Sequence, residues 1–184
     1  MNTRNATAEQ ILDAAEKRVR VGGYYAMSFR DLADDVAVKS ASVHYHFPAK
    51  ADLGVALVER YRDRFFEELA KRTASATPRQ KLGAFVALYR DALEKGEAIC
   101  LCGMLGAESG GLPDTVARTV RGFFAANIAW VRAALDEGAL SDAAQDDATL
   151  FVATLQGALI LGASLDDLGA YDAAARRILQ PFRV

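Results

Sequence analysis

Apolar residues recur three and four positions apart along nearly the whole chain, and Gly, Pro and short polar residues punctuate the repeat. Such spacing places one face of each helix in a core; the alternation expected of strands stands out nowhere. A first helix is predicted from Thr7, where Thr7 and Gln10 have capping-box spacing. It buries Ile11, Leu12, Ala15 and Val19 and ends at Gly22-Gly23. Ser28 caps a second helix, with Asp31 in its first turn and Phe29, Leu32, Ala33 and Val36 on one face. Ala37-Val38-Lys39 makes a tight turn. A short third helix follows over about 40–47, with Val43 and Phe47 turned inward, and Pro48 breaks it.

From Lys50 a long helix is predicted to about residue 72 on the rhythm Leu53, Leu57, Tyr61, Phe65, Leu69, roughly 35 Å of strut. Thr77-Pro78-Arg79-Gln80 opens a fifth helix that Gly96 closes. A sixth is expected over about 99–109, a seventh from Pro113 to Glu137 closed by Gly138, an eighth over about 142–164 and a last one near 171–180. The predicted fold is therefore all-α: a three-helix helix-turn-helix head over 1–47 and a helical bundle over 48–184.

The third helix carries the chemistry. Ser40, Ser42, His44 and Tyr45 surround its outer faces as short donors and flat rings, suited to phosphates, base edges and thymine methyls. Lys50, at the start of the fourth helix, combines an ammonium with free backbone N–H groups, a combination suited to a phosphate. The run Ser28, Arg30, Leu32, Ala33, Val36, Val38, Ser42, Tyr45, His46, Phe47, Lys50 and Leu53 resembles the signature of the TetR family of bacterial transcriptional regulators. Three positions depart from it. Ala37 stands at the turn glycine, Lys39 at the recognition-helix N-cap serine, and His44 at a phosphate-touching tyrosine.

Charge modifies this picture only slightly. The 184 residues carry a net charge of −2. Residues 1–50 hold seven Lys/Arg against six Asp/Glu, a net of +1, which leaves −3 for the rest. A few well-placed cations suffice to grip phosphates, while an acidic body weakens non-specific binding. The start MNTRNATAEQ has no apolar leader segment, and the apolar runs read as too short for a ~20-residue membrane span, so a cytoplasmic protein with no membrane partner is expected.

Helix eight, with FVATLQGALILGAS, is apolar nearly all round and needs cover on every side. Phe151, Leu155, Gly157, Ala158, Leu161 and Gly162 are the candidate homodimer surface, and the family resemblance favours pairing with a second copy. In the body, Phe85, Tyr89, Met104, Phe124 and Trp130 suit an apolar pocket, and Tyr89, Glu108, Asn127 and the Trp130 indole could orient what binds there. Cys102 joins the ligand candidates. Within a TetR-like protein this set implies a small-molecule inducer site.

Cys100 and Cys102 are too few and too close for a disulfide framework, and their spacing makes no zinc motif. A thiol-based electrophile or redox sensor with the same head is one alternative. A ligand-binding or enzymatic body with a vestigial head is another. No Gly-rich phosphate loop, GxSxG or HExxH is present, so no enzyme, cofactor or metal is expected. The resemblance implies a homodimeric repressor on a palindromic double-stranded DNA operator, contacted by Arg30, Ser40, Ser42, His44, Tyr45 and Lys50 and released by an inducer.

Overall fold

The computed structural model describes residues 3–94 and 100–182. Among these residues every regular element is helical: α1 Thr3–Gly22, α2 Phe29–Asp35, α3 Ser40–His46, α4 Lys50–Thr73, α5 Pro78–Glu94, α6 Leu101–Ala107, α7 Asp114–Glu137, α8 Ala144–Leu165 and α9 Leu168–Leu179. Short 3-10 turns lie at Tyr24–Ala26 and Gln180–Phe182. The expected closure at Gly96 and the expected sixth-helix start at Ile99 lie outside the described residues.

Local chemistry explains most boundaries. The Ser28 hydroxyl accepts from Asp31 N–H at 3.2 Å and opens α2. Thr77 and Gln80 bond each other's backbone N–H at 2.9 and 3.4 Å, the reciprocal box that starts α5. α1 begins at Thr3 instead of Thr7, because residues 3–6 contain no Gly or Pro to stop the helix running back.

Helix ends departed from expectation in an informative way. After α2, Ala37 has φ +54°, with Val38 N–H donating to Ala33 O at 2.9 Å and Ala37 N–H to Asp34 O at 3.2 Å. This is a Schellman motif with alanine where glycine is favoured. After α7 the left-handed residue is Ala139, φ +46°, and not the expected Gly138. Gly138 serves close packing instead: a Cβ there would stand 2.8 Å from Pro78 Cβ. Asp166, φ +51°, ends α8 in the same way.

The chain forms two compact units, residues 1–63 with 101–122, and residues 64–100 with 123–184. This division differs from a boundary after Phe47, since α4 and α7 each contribute to both units. In the first, Ile11, Ala15 and Val19 of α1 are fully buried, as are Leu32 of α2, Val43 of α3 and Leu53, Leu57 and Val58 of α4, and α1 packs on both α2 and α3. Arg60 of α4 then ties to α1, its guanidinium reaching Glu9 and Asp13 at 2.9 Å each and Glu16 at 3.1 Å. Those carboxylates lie on successive turns of one helix face.

In the second unit α8 packs along α9, and both pack on α5. Phe85, Phe123, Phe151, Leu155 and Tyr171 are fully buried. The 22-residue α8 has a mean hydropathy of 1.7 over its most apolar window, long and apolar enough by length and composition to cross a membrane. That corrects the expectation of short apolar runs. One side of α8 is sealed by its own unit, and the other exposes Leu150, Ile160, Leu161 and Leu165.

Candidate nucleic-acid interface

Val43, fully buried, and Phe47, 7% exposed, anchor α3 in the core of the first unit. With those two inward, helical geometry turns the rest of α3 out. Ser40, Ala41, His44 and Tyr45 are exposed, and Ser42 and His46 are half-buried. Tyr45 is 62% exposed, a large ring held out in solvent. The His44 ring packs edge-on against Phe29 of α2 at 4.6 Å. Arg30 is exposed in the first turn of α2.

Lys39 is itself the N-cap of α3, with extended backbone and no side-chain cap bond, so Ser40 is the first helical residue and not the cap. Two residues missed from sequence join the exposed face: Lys39, and Ala41 one turn before Tyr45. Helical spacing from buried Val43 and Phe47 was the signal for Ala41; Lys39, one turn before Val43, is exposed because its extended cap backbone lies outside the helix.

Lys50 is half-buried, its ammonium 4.5 Å from the Tyr24 ring centroid and 5.1 Å from that of Tyr25. Burial pulls its pKa below the usual lysine range, and the Glu108 carboxylate opposes that shift. The Ala49 N–H, just before this helix, is already taken: it donates to Asp52 Oδ2 at 2.9 Å. Glu108, a ligand candidate from sequence, sits just beyond α6 in this same unit. Its Oε2 accepts from Tyr24 N–H at 2.7 Å.

The remaining ligand candidates divide between the units. In the second, Trp130 stacks on Phe85 with centroids 5.4 Å apart, and Tyr89 packs 5.3 Å from both Phe85 and Phe65. The Tyr89 hydroxyl donates to Asn127 Oδ1 at 3.1 Å and accepts from Gln156 Nε2 at 3.1 Å, and Asn127 Nδ2 donates to Phe123 O at 2.8 Å. Asn127 is fully buried. Phe124 is half-buried beside Phe123. Gln156 was missed; its signal was a lone amide in an apolar run. Cys102 and Met104 lie on α6 in the first unit, Cys102 fully buried. Cys100, 2% exposed, is likewise shielded.

The dimer candidates also separate. Phe151, Leu155, Ala158 and Gly162 lie inside their own unit. A Cβ on Gly162 would stand 2.7 Å from Leu93 Cδ2, so that glycine admits the chain's own α5. Gly157 faces open space and Leu161 is 56% exposed. An open groove of about 710 Å³ runs beside this face, lined by Leu150, Thr154, Ala174, Arg177, Ile178 and Pro181.

Comparison with known proteins agrees with this arrangement. Residues 11–57, which contain the α2–α3 pair, match the sequence model for "Bacterial regulatory proteins, tetR family". The transcriptional regulator AcuR of Cereibacter sphaeroides is 28% identical over 111 residues, 58% of this chain and 50% of that protein. The chain spans about half the length of the curated relatives it matches. A TetR-family regulator from Agrobacterium tumefaciens superposes with a TM-score of 0.91 at 29% identity, covering 96% of this chain and 97% of that one. A TetR regulator from Legionella pneumophila gives 0.87 at 28% identity, covering 94% and 95%. The helix-turn-helix, the full helical order and the match of residues 11–57 agree: this chain carries a TetR-type DNA-binding segment on the fold of TetR-family transcriptional regulators.

Proposed function

We propose that the protein is a cytoplasmic repressor that binds a palindromic operator as a homodimer and leaves it when a small apolar molecule enters the body. The observation that carries this reading is α3 itself, a helix pinned by Val43 and Phe47 that holds Ser40, His44 and Tyr45 in solvent. A helix so presented fits a major groove, and two copies would read half-sites about 34–36 Å apart.

The homodimer reading is supported by the exposed stripe Leu150, Gly157, Ile160, Leu161 and Leu165, whose spacing follows one face of α8. Contiguous apolar surface of this kind marks an interaction site. The inducer reading is supported by the aromatic group around Phe85, Tyr89 and Trp130, with the Gln156–Tyr89–Asn127 hydrogen bonds as its polar element. An inducer releases DNA only through its preference for the released form, about 1.4 kcal/mol for each tenfold difference in affinity.

Fluorescence anisotropy of the purified protein on its own upstream intergenic DNA, across a salt series, tests the reading. One dimer per palindrome with salt-dependent affinity is expected. Absence of any specific site, there and in a genome-wide selection, would overturn it.

A further inference from the structure

Glu108 does two things at once in the first unit. Its Oε2 accepts the Tyr24 N–H at 2.7 Å, and its Oε1 fills the space a side chain on Gly23 would take, 1.8 Å from where that Cβ would stand. Gly23 itself has φ +75°, so the turn between α1 and α2 is shaped around this carboxylate. The Glu108 backbone is fixed as well, its carbonyl accepting Gly111 N–H at 2.8 Å, while the Tyr25 hydroxyl donates to the Gly111 carbonyl. Tyr24 and Tyr25 are in turn the two rings beneath the Lys50 ammonium. The segment after α6, the α1–α2 turn and the first residue of α4 thus meet in one polar cluster.

We propose, on the basis of the DNA-binding role above, that Glu108 is a positioning residue for operator binding. By holding the Tyr24–Tyr25 turn it seats the Lys50 ammonium where a DNA phosphate can share it. Loss of Glu108 frees the turn, the rings shift, and the ammonium loses its seat. Glu108 touches no DNA in this role.

The test is the salt dependence of operator binding by the full-length protein. Each phosphate neutralised contributes about 0.9 to the slope of log affinity against log salt. Lys50→Met is expected to make the slope shallower by about one for each half-site. Glu108→Ala is expected to show that same shallower slope, and Glu108→Ala/Lys50→Met to be no shallower still. Glu108→Gln, whose amide oxygen can still accept from Tyr24 N–H, should keep the wild-type slope. Glu108→Asp, one methylene short of that N–H, replaces the alanine variant if alanine prevents folding. Glu108→Ala with a wild-type slope, or effects of the two changes that simply add, overturns the proposal while leaving the regulator reading intact. A wild-type protein with no specific DNA site overturns both.

Discussion

Gly23 and Glu108 compete for one volume: a Cβ on the glycine would stand 1.8 Å from Glu108 Oε1, at a φ of +75° that other residues rarely adopt. Gly23→Ala therefore meets a backbone cost of about 1–3 kcal/mol together with a steric clash. For a chain of this size the expected fall in Tm is several degrees, at roughly 2–4 °C per kcal/mol. Adding Glu108→Ala removes the clash but also the acceptor of Tyr24 N–H, so the double variant should lose less stability than the two single changes summed. Calorimetry of the three variants decides it; losses that simply add would place the strain elsewhere.

The other positive-φ turn of the head gives the opposite sign. Ala37 occupies a glycine position of the Schellman motif at φ +54°. Ala37→Gly should stabilise the protein by up to about 1 kcal/mol, the left-handed cost of alanine less the extra chain entropy of glycine. A raised Tm with unchanged operator affinity is the expected outcome. A lowered Tm would show that this turn carries no strain.

Val43 and Tyr45 separate folding from recognition within one short helix. Val43→Ala removes fully buried methyls and should cost about 2 kcal/mol. Tyr45→Ala, at 62% exposure, should leave stability within about 0.5 kcal/mol while weakening operator binding. Paired denaturant and anisotropy titrations check both, and a Tyr45→Ala protein that binds its operator normally would remove that ring from the interface.

Tyr171 sets an alkaline limit. It is fully buried with its hydroxyl donating to Val86 O at 2.8 Å, and burial pushes its pKa well above the usual tyrosine range. A pKa raised in the folded state means stability is complete below the unfolded value of about 10 and declines as pH rises above it. Tyr171→Phe should be less stable near neutrality by about 1 kcal/mol and lose less stability than wild type between pH 9 and 11. Thermal melts across that range read both effects.

The two faces of α8 should respond differently to charge. Leu161→Glu, on the exposed stripe, is expected to yield a folded monomer by light scattering, whereas Leu155→Glu, fully buried, should fail to fold. A Leu161→Glu protein that remains dimeric would move the partner surface off this stripe.

Features governed by neighbours in sequence were legible before the structure. Ser28 with Asp31, Thr77 with Gln80, and the inward pair Val43 and Phe47 all act within one helical turn, where spacing and residue type decide the outcome. What depended on distant partners was hidden. Gly138 read as a helix stop and proved to be a packing contact with Pro78, while its left-handed neighbour Ala139 carried no sequence signal. Gly162 read as room for a second copy and is filled by Leu93. Glu108 read as a ligand group, yet its carboxylate meets a backbone N–H that is 84 positions away in sequence. Local patterns report which face of a helix is apolar; they do not report what arrives to cover it.

The Arg60 ion cluster bears on how such regulators can be recombined. A cut after Phe47 would take from Glu9, Asp13 and Glu16 the guanidinium they share, leaving Glu16 its pair with Arg20, and would also take away the Glu108 acceptor of Tyr24 N–H. A chimera that grafts this helix-turn-helix onto a foreign body must therefore carry the first three turns of α4 and the 101–122 segment that supplies Glu108. The transferable cassette is discontinuous in the gene, and shuffling at the apparent motif boundary would separate parts that fold as one.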